Sequence, residues 1–422
     1  MRVLCTTFAA PSHLNLMVPL AWALRCAGHQ VRVASQPNLA EAIKDAGLTA
    51  VPVGAELDLA GQARAWGGAP ADGTLYRSGL RLDETRPSVL DADYVRGALA
   101  LYGTAISGYL ADELMLAELV GHARSWRPDL VLWDALTYAG PIAARVCGAA
   151  HARVLFGPDH LGRMHRLLGS RRDDPLTAWL TARAQRHGCD YHDELAVGAL
   201  TLDPMPAWMR QPTGLPQLAV RFVPYSGRGD LPDWLARPPA RPRVCLTLGL
   251  ASRAGALTAL PVADLLAAVA GLDVEVVATL DSQQLAAVPE VPDNVRLVDF
   301  VPLEALLPSC AAIVHHLGAG TMATAVLCGV PQLCVVEDNT IWGEPGQARQ
   351  LVARGAALAV RARELTPGTL ARQLSRLLTE PAFATSAAGL RAEMLATPSP
   401  HEVVPRLEEL AAGRAGVLAG SA

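Results

Sequence analysis

The feature that most constrains this chain is a succession of buried strand, turn and helix that begins twice. In the first run, residues 2–7 have the apolar pattern of a buried strand, residues 14–27 have helical apolar spacing, and Gly28 suits a helix end. The second run begins with the apolar residues 244–249. Strands that alternate with helices pair in parallel through right-handed crossovers. The sequence therefore predicts an α/β protein with two Rossmann-like, doubly wound parallel sheets.

The boundary between the two runs lies where the composition becomes stiff and polar. Residues 226–243 contain two glycines and four prolines, a composition typical of a linker. A chain of 422 residues is also too long for one ordinary core. We therefore expect a first domain over 1–225, a linker over 226–243 and a second domain over 244–400. Residues 401–422 are expected to form a helix that crosses back to the first domain.

The composition excludes several classes of protein. A formal net charge of -4 provides no basic excess for neutralising the phosphates of a nucleic acid. The sequence contains no run of 18 apolar residues, so no membrane span is expected. The N-terminus begins directly with a strand pattern, and a secretory leader is therefore not expected. None of the eight cysteines forms a CxxC pair, so neither a zinc site nor a redox dithiol is indicated. A cytoplasmic protein is the expectation.

The most informative motif follows a predicted strand at residues 311–314. It comprises His315, His316, Leu317, Gly318, Ala319, Gly320 and Thr321, and a helical pattern ending at Gly329 comes next. The free N–H groups at a helix N-terminus bind anions at the positive end of the helix dipole. A tight turn that merely needs glycine is the plainer interpretation. The histidine pair favours a phosphate site, because turning the chain does not require histidine.

The same residues also fit a dinucleotide-binding pattern. Residues 318–323 match G-x-G-x-x-G/A, and Glu337 and Asp338 follow at about the distance of a ribose-binding acid. An NAD-dependent oxidoreductase is therefore a rival hypothesis. Against it, the motif falls in the second half of the chain, the histidines would crowd a pyrophosphate turn, and no catalytic Lys or Tyr lies nearby.

The motif resembles the HHGGAGT donor site of bacterial natural-product glycosyltransferases of family 1, which have the GT-B fold. The chain is also similar, over nearly its whole length, to the deoxysugar transferases of macrolide and anthracycline pathways. The stretches that carry this resemblance are residues 18–25, 125–130, 244–249, 300–302 and 329–332. The resemblance implies two domains facing a cleft, and a dTDP-sugar donor bound to the second domain.

The resemblance also implies which residues contact the donor. The base would lie near Val301, the diphosphate near His315 and the 318–321 amides, and no metal would be needed. The expected donor-contacting residues are Ser12, Ser252, Val301, His315, Gly318, Ala319, Gly320, Thr321, Trp342 and Glu344. Two positions depart from the family pattern. Leu317 replaces a glycine, and the acid that normally follows Trp342 directly is either absent or shifted to Glu344.

For catalysis, the resemblance points to His13 as the general base, because deprotonating an acceptor hydroxyl needs a group that titrates near neutral pH. Asp134, at the end of another strand, would orient it; an N-cap role is the alternative. The implied reaction transfers a deoxysugar, or an amino sugar, with inversion to a hydroxyl of a polyketide-type aglycone in antibiotic biosynthesis. The aglycone would lie against residues 58–112 and 156–161. An auxiliary activator protein is an implied partner, and a non-catalytic helper protein of the same fold is the alternative function.

Overall fold

The computed structural model describes residues 1–59, 61, 80–169, 174–249, 262–280, 282–285, 288, 290–337 and 342–419. Within these residues the strands form two separate sheets, and every strand pair is parallel. Among the described residues, no helix is long and apolar enough to cross a membrane.

The first sheet has the order β3-β2-β1-β4-β5-β6-β7. Its strands are β1 (Arg2–Thr6), β2 (Gln30–Ser35), β3 (Thr49–Pro52), β4 (Leu130–Asp134), β5 (Ala150–Val154), β6 (Leu200–Asp203) and β7 (Gln217–Ala219). The α-helices of this half are α1 (Pro11–Cys26), α2 (Ala40–Asp45), α3 (Ala92–Ala98), α4 (Ser107–Leu110), α5 (Glu113–Trp126), α6 (Ala139–Cys147), α7 (His160–Leu168), α8 (Pro175–Arg186) and α9 (Glu194–Val197). A π-helix, Leu99–Ile106, joins α3 to α4.

The second sheet has the order β10-β9-β8-β11-β12-β13. Its strands are β8 (Arg243–Thr247), β9 (Glu275–Thr279), β10 (Val295–Val298), β11 (Ala312–His315), β12 (Gln332–Val336) and β13 (Ala357–Arg361). The helices are α10 (Val262–Ala270), α11 (Ser282–Leu285), α12 (Leu303–Leu306), α13 (Ala319–Cys328), α14 (Glu344–Ala353), α15 (Pro367–Thr379), α16 (Pro381–Leu395) and α17 (Val404–Ala419). Short 3-10 helices lie at Pro37–Leu39, Ala207–Met209, Asp233–Ala236, Leu307–Ser309 and Ala362–Glu364.

The central strands are buried along their whole length, as parallel sheets covered on both faces require. All five residues of β4, β8 and β12 are buried. A strand of this kind has a continuous apolar run instead of an alternating one, because both faces pack against helices. This burial explains why the strands were recognisable in the sequence.

Both sheets reverse their strand order at one point, between β1 and β4 and between β8 and β11. Ligands of doubly wound sheets bind at such switch points, outside the carboxyl ends of the strands. The segments after β1 and β11 contain His13 and the glycine-rich turn at residues 316–321, which the sequence analysis identified as candidate site residues. The topology therefore places the candidate site at the switch points of both sheets.

Helix α1 begins earlier than the sequence pattern predicted. We expected a turn up to His13 and a helix from Leu14, but the helix starts at Pro11. Proline suits the first helical position, because its fixed φ is already helical and the N–H it lacks would have had no partner. Ser12 and His13 are consequently held in the first turn of a helix.

The C-terminal helix packs against the first half of the chain. Val404, Leu407 and Ala411 are buried in a cluster that includes Val3 and Leu132 of the first sheet. Towards the second half, the backbone N–H of Arg221 donates to the carbonyl of Pro398 (2.6 Å). Residues 226–242 include a short 3-10 helix, and β8 begins at Arg243, the last residue of the predicted linker.

One buried histidine connects three segments of the first domain. His165 on α7 lies between two carboxylates, with Nδ1 2.7 Å from Asp174 and Nε2 2.8 Å from Asp193. Burial alone would lower the pKa of His165, but the hydrogen bonds to both carboxylates outweigh it and raise that pKa to about 9. Protonated His165 therefore holds the start of α8 and the segment before α9 against α7.

Replacing His165 should make stability less dependent on pH. Because its pKa is higher in the folded chain than the unfolded 6.5, the bridge contributes fully below about pH 6.5 and is lost as pH rises through about 9. The contribution is on the order of 3 kcal/mol. We expect His165→Gln to lower the melting temperature at pH 6 much more than at pH 10. His192→Gln, at a half-exposed histidine, is the control, and an equal loss at both pH values would contradict the assignment.

Candidate active site

A cavity of about 290 Å³ lies between the two sheets, at their carboxyl ends. Its walls come from both halves of the chain, which matches the usual location of small-molecule sites in α/β folds. The lining residues include Ser12, His13, Phe156, Met205, Phe222, Val301, His316, Leu317, Gly318, Ala319, Gly320, Thr321, Trp342, Glu344 and Gln347. Most of the residues singled out in the sequence therefore converge on one cavity. Ser252 lies outside the described residues.

His13 and Asp134 form a hydrogen-bonded pair at the first switch point. His13 Nδ1 lies 2.6 Å from Asp134 Oδ2, although 121 residues separate them in the chain. The other carboxylate oxygen of Asp134 accepts a 3.0 Å hydrogen bond from the N–H of Leu136. The aspartate side chain is 2% exposed and the histidine side chain 15%. Since an ionised carboxylate only accepts hydrogen bonds, Nδ1 carries the proton and Nε2 can take up another.

Two aromatic rings fix the orientation of this imidazole. The ring centroids of Phe8 and Phe156 lie 4.4 Å and 4.7 Å from that of His13. Phe8 is part of the buried segment that follows β1, and Phe156 follows β5. A histidine held between two rings and a carboxylate is oriented before any ligand arrives, which suits a general base.

The glycine-rich turn connects β11 to the N-terminus of α13. The helix begins at Ala319, and Gly318 precedes it without a side-chain cap. All four residues from Gly318 to Thr321 line the cavity. Free backbone N–H groups at a helix N-terminus bind phosphate through hydrogen bonds and the helix dipole. The turn can therefore hold an anionic group inside the cavity.

The two adjacent histidines have different positions in the structure, and His315 is the one that faces away from the cavity. Its side chain is fully buried; Nε2 lies 2.9 Å from Gln332 Oε1, and Nδ1 accepts a 3.0 Å hydrogen bond from Leu317 N–H. Burial lowers the pKa of His315 to about 3, so the ring is neutral. Because both nitrogens are engaged within the fold, His315 holds the turn in place, and its contact with a diphosphate remains a prediction.

His316 is the histidine that lines the cavity. A Cβ added to Gly249, at the end of β8, would lie 3.2 Å from His316 Nε2, and one added to Gly318 would lie 3.7 Å from it. The imidazole is thus placed between the two switch-point loops of the second sheet. Successive residues of an extended chain point to opposite sides, so the sequence could have shown that only one of the two histidines faces the cavity, but not which one.

Leu317 occupies a backbone conformation that favours glycine. Its φ is +70°, and it is 1% exposed. Its side chain belongs to a buried cluster that includes Met205 and Phe222 of the first half and Met322 of α13. A left-handed conformation costs a non-glycine residue about 1–3 kcal/mol, and burial of a leucine gains about 1.5–3 kcal/mol. Packing between the two halves can therefore offset the unfavourable backbone of this turn.

The displaced acid still reaches the cavity. Glu344 is the first residue of α14, and its Oε2 accepts a 3.1 Å hydrogen bond from the N–H of Trp342. Burial raises the pKa of Glu344 to about 7, against the opposing effect of hydrogen bonds from the backbone. Gln347, one turn further along α14, also lines the cavity and was not identified from the sequence.

Trp342 lies between two aromatic rings of the first half. Its ring centroid is 5.3 Å from that of Phe156 and 6.0 Å from that of Tyr102, both in edge-on arrangements. Tyr102 belongs to the π-helix and donates a 2.8 Å hydrogen bond to the carbonyl of Leu80. π-Helical segments frequently occur at functional sites, and this one lies beside the cavity. It brings Tyr102 against the tryptophan that lines the cavity.

Comparison with known proteins gives a family for this arrangement. Residues 22–249 match the N-terminal domain, and residues 263–410 the C-terminal domain, of the family described as erythromycin biosynthesis protein CIII-like. The chain is 48% identical to the aclacinomycin-T 2-deoxy-L-fucose transferase of Streptomyces galilaeus, over 98% of this chain and 96% of that protein. It is 46% identical to the 10-deoxymethynolide desosaminyltransferase of Streptomyces venezuelae, over 98% and 97%.

Solved structures agree with this assignment. The glycosyltransferase VinC, crystallised in complex with dTDP, superposes with a TM-score of 0.87 at 48% identity, covering 97% of this chain and 99% of VinC. The spinosyn forosaminyltransferase SpnP superposes with a TM-score of 0.81 at 41% identity, covering 98% and 99%. The two parallel sheets confirm the predicted GT-B fold, and the chain is a glycosyltransferase that belongs to the erythromycin biosynthesis protein CIII-like family.

Proposed function

We propose that this enzyme transfers a deoxysugar from a dTDP-sugar to a hydroxyl group of a polyketide-type aglycone, with inversion at the anomeric carbon. The observation that carries the proposal is the His13–Asp134 pair, whose imidazole lines the same cavity as the glycine-rich turn of the second half. Relatives named as transferases of deoxysugars, and the dTDP complex of VinC, support the class of donor.

In the proposed reaction the acceptor hydroxyl gives its proton to Nε2 of His13 while its oxygen attacks the anomeric carbon. The bond between that carbon and the diphosphate oxygen breaks at the same time, so the leaving group departs from the opposite face. Asp134 stabilises the imidazolium that forms. The amides of residues 318–321 and His316 stabilise the charge on the departing diphosphate, a role that requires no metal ion.

The alternatives to this function have less support. The complete histidine–carboxylate pair favours catalysis over a helper role for the fold. An oxidoreductase is disfavoured because the glycine-rich turn belongs to the second half of a glycosyltransferase fold. The dinucleotide hypothesis would need Glu337 or Asp338 to bind a ribose. Glu337 is not among the described residues that line the cavity, and Asp338 lies outside the described residues.

Sugar transfer and ligand-induced stabilisation test the proposal together. The purified chain, offered a panel of dTDP-deoxysugars and polyketide aglycones, should form a glycoside. Binding of dTDP should raise its melting temperature, whereas NAD should not. Stabilisation by NAD alone would overturn the proposal. Transfer in the presence of EDTA at an unchanged rate is the expected result for a reaction without a metal.

Glu344 should make donor binding depend on pH. Its carboxylate is proposed to accept a hydrogen bond from the sugar or to pair with an amino group, and its pKa of about 7 means that this charge is lost as pH falls through neutrality. We expect the KM for the dTDP-sugar to rise about tenfold between pH 8.5 and pH 6, since hydrogen bonds to charged groups contribute about 1.5–3 kcal/mol.

The glutamine variant separates this effect from general acid sensitivity. Glu344→Gln should show the high donor KM at every pH and bind dTDP alone as the wild type does. Glu364→Gln, at an exposed acid of the same domain, should behave as the wild type. A pH dependence that persists in Glu344→Gln would assign it to a different group.

A further inference from the structure

A second, much smaller chamber adjoins the main cavity. It has a volume of about 20 Å³ and shares Phe156, Gly157 and Trp342 with the wall of the main cavity. That volume suffices for one group the size of a water molecule. The remaining wall is apolar except for Asp159 and His160; its apolar members are Leu82, Ala135, Leu155, Pro158 and Leu161.

The two polar residues of the chamber differ in their hydrogen bonds. Asp159 pairs with buried Arg153 and accepts a 2.9 Å hydrogen bond from Gly162 N–H at the start of α7. His160 is only 7% exposed, and among the described residues neither ring nitrogen has a hydrogen-bond partner. Buried polar groups are almost always hydrogen-bonded. The imidazole of His160 is therefore a polar group that the fold buries in the chamber wall without satisfying it.

His160 also lies against residues 342–344 of the second half, the segment that is proposed to contact the sugar. Gly343 has a φ of +95°, and a Cβ added to it would overlap His160 Nε2. This glycine separates Trp342 from Glu344, the two residues proposed to contact the sugar. The absence of a side chain at Gly343 is what lets the imidazole approach from the first half.

The two carboxylates of the first half that lie near His160 are each paired with an arginine. Asp83, 5% exposed, pairs with Arg81 (2.9 Å), and Asp159 pairs with Arg153. Burial lowers the pKa of His160 to about 4, although Asp83 opposes this. The ring is therefore neutral, and it offers one donor and one acceptor to a ligand.

We propose that this chamber is a subsite for a small hydrogen-bonding substituent of the transferred sugar, a hydroxyl or a primary amine, and that His160 recognises it. The inference rests on the proposed function. Both the sugar and the aglycone carry such groups, and contact with Gly343, between Trp342 and Glu344, favours the sugar. A dimethylated amine exceeds the volume of the chamber, so His160 and the chamber would determine which sugars are accepted.

The test compares His160→Leu, which cannot form hydrogen bonds, with His160→Gln, which can. The probes are dTDP alone and whichever dTDP-linked 6-deoxyhexose, among forms with a hydroxyl or amine at C3 and C4, the wild type transfers fastest. His160→Leu should raise the KM for that donor about fivefold to tenfold, the effect of one hydrogen bond. The Kd of dTDP should stay unchanged, and His160→Gln should restore most of the affinity.

Deoxy analogues of the donor identify the substituent. In a double-mutant cycle, the analogue that lacks the recognised group should bind His160→Leu and the wild type equally. Removing a buried polar group without a partner should not lower the melting temperature, so folding of His160→Leu can be verified first. If that variant were unstable, His160→Gln with the same analogues would give the comparison.

The other outcomes are distinguishable. A raised KM for the aglycone alone would overturn the assignment to the sugar. Unchanged KM values for both substrates would mean that His160 contacts only water or fills space, and would overturn the inference while leaving the proposed function intact. If the wild type neither bound dTDP nor transferred any sugar, the proposed function would fail, and the inference with it.

Discussion

Replacement of His13 by alanine should reduce sugar transfer about a thousandfold, since a positioned general base typically contributes 10²–10⁴ to a rate. The reason is geometric. The imidazole is held by Asp134 at 2.6 Å and by two aromatic rings, and no other histidine of the described residues is paired with a carboxylate in the cavity wall. Single-turnover transfer at saturating donor measures the effect directly.

Binding of the donor should survive this change. The nucleotide is proposed to bind to the second half, so His13→Ala should bind dTDP with unchanged affinity and lose kcat instead. His401→Ala, at an exposed histidine, is the control and should keep the wild-type rate. A His13→Ala enzyme that retains full activity would show that another group removes the proton.

The second large effect concerns stability. Arg153 on β5 and Asp159 before α7 form an ion pair in which each side chain is 1% exposed. Removal of one partner leaves the other charge buried, which costs about 3–5 kcal/mol. We expect Arg153→Met to lower the melting temperature of the first domain by about 10 °C, given about 2–4 °C per kcal/mol for a domain of this size. Thermal unfolding followed by circular dichroism measures it.

A matched ion pair at the surface provides the control. Arg186 and Glu113 are paired at 3.0 Å but are 55% and 50% exposed. Solvent screens such a pair, and its median contribution is about 0–1 kcal/mol. Arg186→Met should therefore hardly change the melting temperature. Equal losses in the two variants would show that the burial of Arg153 is not what matters.

The large elements of the fold were predictable from the sequence because they depend on local patterns. The continuous apolar run of β4 and the glycine-rich turn before α13 each identify an element without reference to any other part of the chain. Parallel strands place their carboxyl ends at one edge of a sheet. For this reason His13 and Asp134, which follow and end strands far apart in the chain, could be expected to meet.

The side chains within the site were less predictable. The sequence pair His315 and His316 gave no indication of which ring faces the cavity, and the resemblance suggested His315. In the structure His316 lines the cavity, whereas Gln332 and the N–H of Leu317 occupy both nitrogens of the buried His315. Such a result depends on the neighbouring strand, which the local sequence does not include.

The sequence by itself determined two parallel α/β sheets, a glycine-rich turn before a helix in the second and a histidine at the first switch point. These follow from periodicity and from the fixed direction of parallel strands. Only the tertiary structure decided that Glu344 reaches the cavity from a displaced position, that Leu317 tolerates a glycine conformation, and that His160 remains without a partner beside Gly343. Each of these depends on how the two halves pack together. Local sequence patterns do not predict packing between segments that are distant in the chain.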